Sequence, residues 1–95
     1  MAKGYWIAHV TVTDAALYPS YVEAARPAFV KYGAKFIARA GRYTQCEGED
    51  RARNVIIEFA SYDDALACYD SPEYQAAKAI REKAGIASLV LVEGV

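Results

Sequence analysis

The chain has 95 residues, 55% of them hydrophobic, with 11 Lys and Arg against 12 Asp and Glu for a net charge of −1. One domain spanning residues 1–95 is expected at this length, and so balanced a charge argues against a nucleic-acid partner. No run approaches the apolar length of a membrane span and the opening MAKGYW lacks the apolar core of a secretion signal, so a soluble, cytoplasmic protein with no membrane partner is expected.

Tyr5 to Val12, YWIAHVTV, is the strongest strand signal and holds the single histidine. Alternation puts Trp6, Ala8, Val10 and Val12 on one face and Tyr5, Ile7, His9 and Thr11 on the other. The first set is wholly apolar and suits a face covered by helices. Thr13 and Asp14 then offer N-caps. Tyr18, Val22, Ala25, Phe29 and Tyr32 recur at helical spacing along one stripe, which continues in phase past Pro27, so the helix is expected to kink there and go on. Gly33 supplies a left-handed stop.

From Lys35, KFIARAGRYTQCEG reads as a strand with Phe36, Ala38 and Ala40 on one face and Ile37, Arg39 and Gly41 on the other; Gly41 suggests a bulge or bend. Glu47 to Arg53 is a charged, solvated hairpin tip. The return strand, Asn54 to Phe59, alternates Val55, Ile57 and Phe59 with Asn54, Ile56 and Glu58. Ser61 with Asp64 opens a short helix, and Ser71-Pro72-Glu73 opens a second running to about Ala84 before Gly85. A last apolar strand covers Ser88 to Val92.

Strand, helix, strand, strand, helix, strand is the split pattern of an α+β, ferredoxin-like βαββαβ fold: a four-stranded antiparallel sheet in the order 4-1-3-2 with its helices on one face. So small a body buries roughly 60 to 65% of its unfolded surface. The apolar surplus predicts a homodimer.

GYWIAHVTVTD, KYGAKFIARAG, VIIEFASYDDALACYDSPEYQAAKAIR and the terminal LVLVEG together resemble the domain-of-unknown-function 1330 family over nearly the whole chain. The resemblance implies a dimeric α/β barrel, two ferredoxin-like sheets packed face to face, and no particular reaction. The wider superfold hosts monooxygenases, haem-handling enzymes, lactone isomerases and binding proteins, an analogy that assigns no activity by itself.

Site residues must come from the strands. Parity allows His9, Arg39 and Glu58 to share the face away from the helices, with Tyr5 beside them, as a ligand-binding pocket inside the barrel. There His9 would transfer or accept a proton, and the planar fork of Arg39 would hold a carboxylate or enolate. The competing arrangement is an Arg39–Glu58 ion pair with His9 satisfied locally. No metal site is expected, since Cys46, Cys68 and one histidine lack ligand spacing; both cysteines are expected to be small buried residues. No cofactor is expected. The functional expectation is a small-molecule site with cofactor-free proton-transfer or oxygenase-type chemistry; the alternatives are a non-catalytic ligand binder or a structural dimer.

Overall fold

Strand β1 (Gly4–Val12) separates into the two faces that its alternation predicts: Trp6 and Val10 are buried, while His9 is exposed. The computed structural model describes residues 2–95. After β1 come helix α1 (Tyr18–Lys31), strands β2 (Lys35–Arg39) and β3 (Arg53–Phe59), helices α2 (Tyr62–Asp70) and α3 (Pro72–Ala84), and strand β4 (Gly85–Glu93). All pairings are antiparallel and the order is β2-β3-β1-β4, which is the expected order read from the other edge. The strand after Gly85 begins at once, three residues earlier than its apolar run suggested.

Local signals explain the helix ends. Ser61 Oγ accepts from the Asp64 N–H at 3.1 Å and Ser71 Oγ from the Tyr74 N–H at 3.2 Å, each cap contributing about 1 kcal/mol. Asp14 caps the turn before α1, its Oδ1 accepting from the N–H groups of Ala16 and Leu17. Helix α1 runs on through Pro27, as the stripe required, and Gly33 ends it at φ 68°. Gly4 is needed for a different reason: a Cβ there would lie 2.6 Å from the Tyr62 Cα, so β1 and the start of α2 meet only because it has none.

The core lies on the Trp6 face. Trp6, Val55, Ile57 and Phe59 of the sheet pack with Ala25 and Ala28 of α1, Ala65 and Cys68 of α2, and Tyr74 and Ala77 of α3. Trp6 is 2% exposed, and its indole N–H donates to the Ala65 carbonyl at 2.9 Å. Its ring lies 4.8 Å from that of Tyr74, 5.4 Å from Phe29, 5.6 Å from Phe59 and 5.9 Å from Tyr69. Cys68 is buried as expected, its thiol pushed up to about 12 by burial, but Cys46 is exposed because its segment is loop and not strand. Among the described residues no helix is long and apolar enough to cross a membrane.

Replacing Trp6 by Phe keeps a ring but removes the donor, leaving the buried Ala65 carbonyl without that partner. A loss of about 1–3 kcal/mol is expected, read as a lowered urea midpoint with an unchanged slope. An unaltered midpoint would show that the indole N–H contributes nothing.

Candidate functional site

The register arranges the face away from the helices in rows across the strands. Lys35, Glu58, Tyr5 and Val92 form one row; Ala38, Ile56, Ile7 and Val90 form the next; Asn54, His9 and Ser88 follow, then Thr11 with Ile86. A central apolar row is thus flanked by polar ones. Tyr5 donates to Glu58 Oε2 at 3.2 Å, and desolvation, then the Glu58 carboxylate, holds its hydroxyl above the ordinary tyrosine value. His9 Nδ1 lies 2.5 Å from Asn54 Oδ1. Because Asn54 Nδ2 donates to the Arg51 carbonyl, its amide oxygen faces His9; Nδ1 therefore carries the proton and Nε2 is the acceptor.

Of the four residues expected on this face, Tyr5, His9 and Glu58 lie on it and Arg39 does not. Phe36 pairs with Ile57 and Ala38 with Ile56, so Ile37 is an extra residue bulged out of β2. Alternation is reset by one position beyond it, which turns Arg39, opposite Val55, toward the helices. Its guanidinium lies over the Phe36 ring, 3.8 Å from the centroid, and makes no ion pair with Glu58. The bulge falls at Ile37 and not at the glycine that hinted at one, and β2 ends at Arg39.

A cavity of about 260 Å³ opens on the helix side, between α1 and the sheet. Its origin is in packing. Helix α1 lies along α3, where Ala25, Ala28 and Ala77 allow close approach, and stands off the strands beneath it. The sheet there presents small residues, Ala8 on β1 and Ala87 on β4, which do not fill the gap. Trp6, Tyr18, Tyr21, Phe29, Phe36 and Tyr74 supply aromatic walls.

The polar groups of this cavity are arginines and tyrosines: Arg26, Arg39, Arg53 and Arg81 reach it, with no carboxylate or imidazole. Arg81, 9% exposed, donates to the Tyr74 hydroxyl at 2.5 Å, and the Tyr21 and Tyr74 hydroxyls are 2.9 Å apart. Arg53 lies over the Tyr18 ring, 5.1 Å from its centroid. Burial raises the Tyr18 hydroxyl, against an opposing pull from Arg53, and burial raises Tyr74 far above the ordinary value. Both stay protonated and act as hydrogen-bonding groups, not as bases. Among the described residues no cluster of His, Cys, Asp and Glu could hold a metal ion.

Two signals for this cavity were present in the sequence. Arg53 has the parity of Val55, Ile57 and Phe59, and it appears on the helix face once β3 is begun one residue earlier. Arg81 lies seven positions after Tyr74 on α3, hence on the same helix face. The void itself is tertiary, because it depends on how far α1 stands from the sheet.

The family model described as Domain of unknown function (DUF1330) matches residues 3–95. A protein of unknown function from Rhodopseudomonas palustris superposes with a TM-score of 0.78 at 17% identity, over 99% of this chain and 83% of that one. SnoaB, a cofactor-independent oxygenase from Streptomyces nogalater, gives 0.63 at 13% identity, over 97% and 92%. A dimeric protein of unknown function with a ferredoxin-like fold from Bacteroides fragilis gives 0.63 at 19%, over 96% and 95%. At such identities the likeness establishes the ferredoxin-like fold alone. No curated protein matches the sequence.

Alkaline titration followed by phenolate absorbance should resolve two classes among the eight tyrosines. The raised Tyr18 and Tyr74 values contribute stability that is complete below the ordinary tyrosine value and is lost as pH rises through the folded ones. These two should therefore ionise last, together with unfolding, and Tyr74→Phe should remove one late step. A single class of eight would contradict the buried placement.

Proposed function

The chain belongs to the DUF1330 family, whose description names no reaction, and we propose from the cavity that it binds a flat aromatic small molecule in each protomer and acts on it by cofactor-free, oxygenase-type chemistry. The observation that carries this reading is a void of about 260 Å³ walled by aromatic rings under a helix that leans on its neighbour instead of the sheet. Pockets of this size and apolar lining are the usual form of small-molecule sites. The likeness in fold to SnoaB supports the reaction class.

Chemistry without a cofactor requires the substrate to be the reductant. An acidic methylene flanked by aromatic rings loses its proton to water, and the resulting carbanion reduces dioxygen. One oxygen atom becomes a carbonyl at that carbon and the other leaves as water, so electrons and atoms balance. Arginines in a lining that includes no carboxylate favour the ionised substrate, because opposite charge lowers an acid's pKa. His9, Glu58 and Tyr5 take a different part in this reading. They lie on the open face, where the row Ile56, Ile7, Val90 and the exposed Ile86 and Val92 support a homodimer packed sheet to sheet. A cytoplasmic location and the absence of a nucleic-acid partner belong to the same reading, the second supported by the net charge of −1.

Sedimentation equilibrium should give twice the 10.4 kDa chain mass, and Val90→Lys, placing a charge in the apolar row, should shift it toward one chain. A wild-type monomer at micromolar concentration would end the sheet-to-sheet assembly. For the site, naphthol should raise the melting temperature and quench Trp6, and Ala8→Leu, which fills the floor of the void, should weaken both responses about tenfold or more. Anthrone should consume one dioxygen per anthraquinone formed, faster with protein than without. Binding without oxygen uptake would identify a non-catalytic binder.

A further inference from the structure

All four guanidinium groups at the cavity have a neighbour: Arg26 is paired at the rim with Glu23 at 2.7 Å, Arg81 donates to Tyr74, Arg39 lies over the Phe36 ring and Arg53 over the Tyr18 ring. Arg53 differs in its hydrogen bonding. Its Nε is closed off from solvent and has no hydrogen-bond partner, and no ion pair among the described residues includes it. An unsatisfied buried donor is destabilising, and more so when it is charged. That cost falls on a side chain lining the void beside Tyr18, one of its aromatic walls.

A second donor points the same way. Arg81 donates to the Tyr74 oxygen, and the Tyr74 and Tyr21 hydroxyls lie 2.9 Å apart, where either can donate. With Tyr74 as the donor, Tyr21 keeps its proton for a group in the cavity that it also lines. Both polar ends of the cavity offer donors, and no group in its lining is a carboxylate.

Resting on the cavity as the ligand site, we propose that its ligand is an aromatic oxyanion, a phenolate or carboxylate carried on a flat ring, whose charged oxygen is held by Arg53 with the Tyr21 hydroxyl as second donor. The planar guanidinium fork matches the in-plane lone pairs of such an oxygen, and one unpaired cation matches one negative charge. Engagement by the ligand gives the Arg53 Nε a hydrogen-bond partner that the chain itself does not supply.

Three probes with the same nitro-substituted ring test this: para-nitrophenol above its own pKa, para-nitrobenzoate, and neutral para-nitroanisole, measured by equilibrium dialysis and by quenching of Trp6, the single tryptophan of the chain. At least one anionic probe should bind roughly tenfold or more tighter than nitroanisole, the difference expected of a charge-assisted bond. Which anion is tighter tells phenolate from carboxylate. Arg53→Gln should abolish the excess, with an unchanged circular-dichroism spectrum reporting that the chain remains folded; Arg53→Lys should restore part of it, and Tyr21→Phe should reduce it by a smaller factor. Equal affinity for all three probes, or an anion preference that survives Arg53→Gln, overturns the oxyanion assignment and leaves the cavity reading standing. Failure of every probe, nitroanisole included, overturns the cavity reading itself.

Discussion

The arrangement of this protein depends on the buried bond from the Trp6 indole to the Ala65 carbonyl. It ties the central strand to α2, and the ring around that bond meets Tyr74 of α3 and Phe29 of α1 edge-on. Edge-to-face aromatic pairs are worth about 0.5–1.5 kcal/mol beyond their area, so one side chain fixes all three helices relative to the sheet. Helix α1 is held at its Phe29 end by this cluster and along its side by the alanines facing α3. Under its first half the central strand offers Ala8 and Val10 with Ala87 beside them, and Arg53 of β3 reaches in against Tyr18. The cavity follows from a helix held from the side and not from below.

The two faces of the sheet then have different characters for a physical reason. On the helix side, charge is admitted only as arginine, whose delocalised cation tolerates aromatic surroundings and cannot be neutralised. On the open side Tyr5 hydrogen-bonds to Glu58 and His9 to Asn54, and the Glu58 carboxylate has a phenol but no cation as its partner. Covering that side therefore desolvates one carboxylate, whereas filling the cavity desolvates the Arg53 guanidinium, which has a ring beside it and no anion.

The fold was legible because its signals were local. Strand alternation, the serine caps at 61 and 71, Pro72 at a helix start and Gly33 at a helix end each act within a few residues, and topology followed from their order. The candidate site was legible only in part. Tyr5, His9 and Glu58 were placed on the correct face because β1 and β3 are regular. Arg39 was misplaced because counting by twos fails across a bulge, and the bulge at Ile37 carries no glycine to announce it. The residues that line the cavity come from six of the seven elements, and their meeting depends on the stand-off of α1, which no spacing within the chain encodes.

The bulge at Ile37 also bears on how this protein can diverge. Deleting the bulged residue would leave Arg39 two positions after Phe36 and on the same face, whereas straightening the strand with Ile37 in place would turn Arg39 to the open face. In a strand bordered by loop residues 40–52, such a length change is absorbed without disturbing the central pairs. The edge strand thus behaves like a reading frame: whether its extra residue bulges or pairs, with no change in composition, decides which face of the sheet carries Arg39.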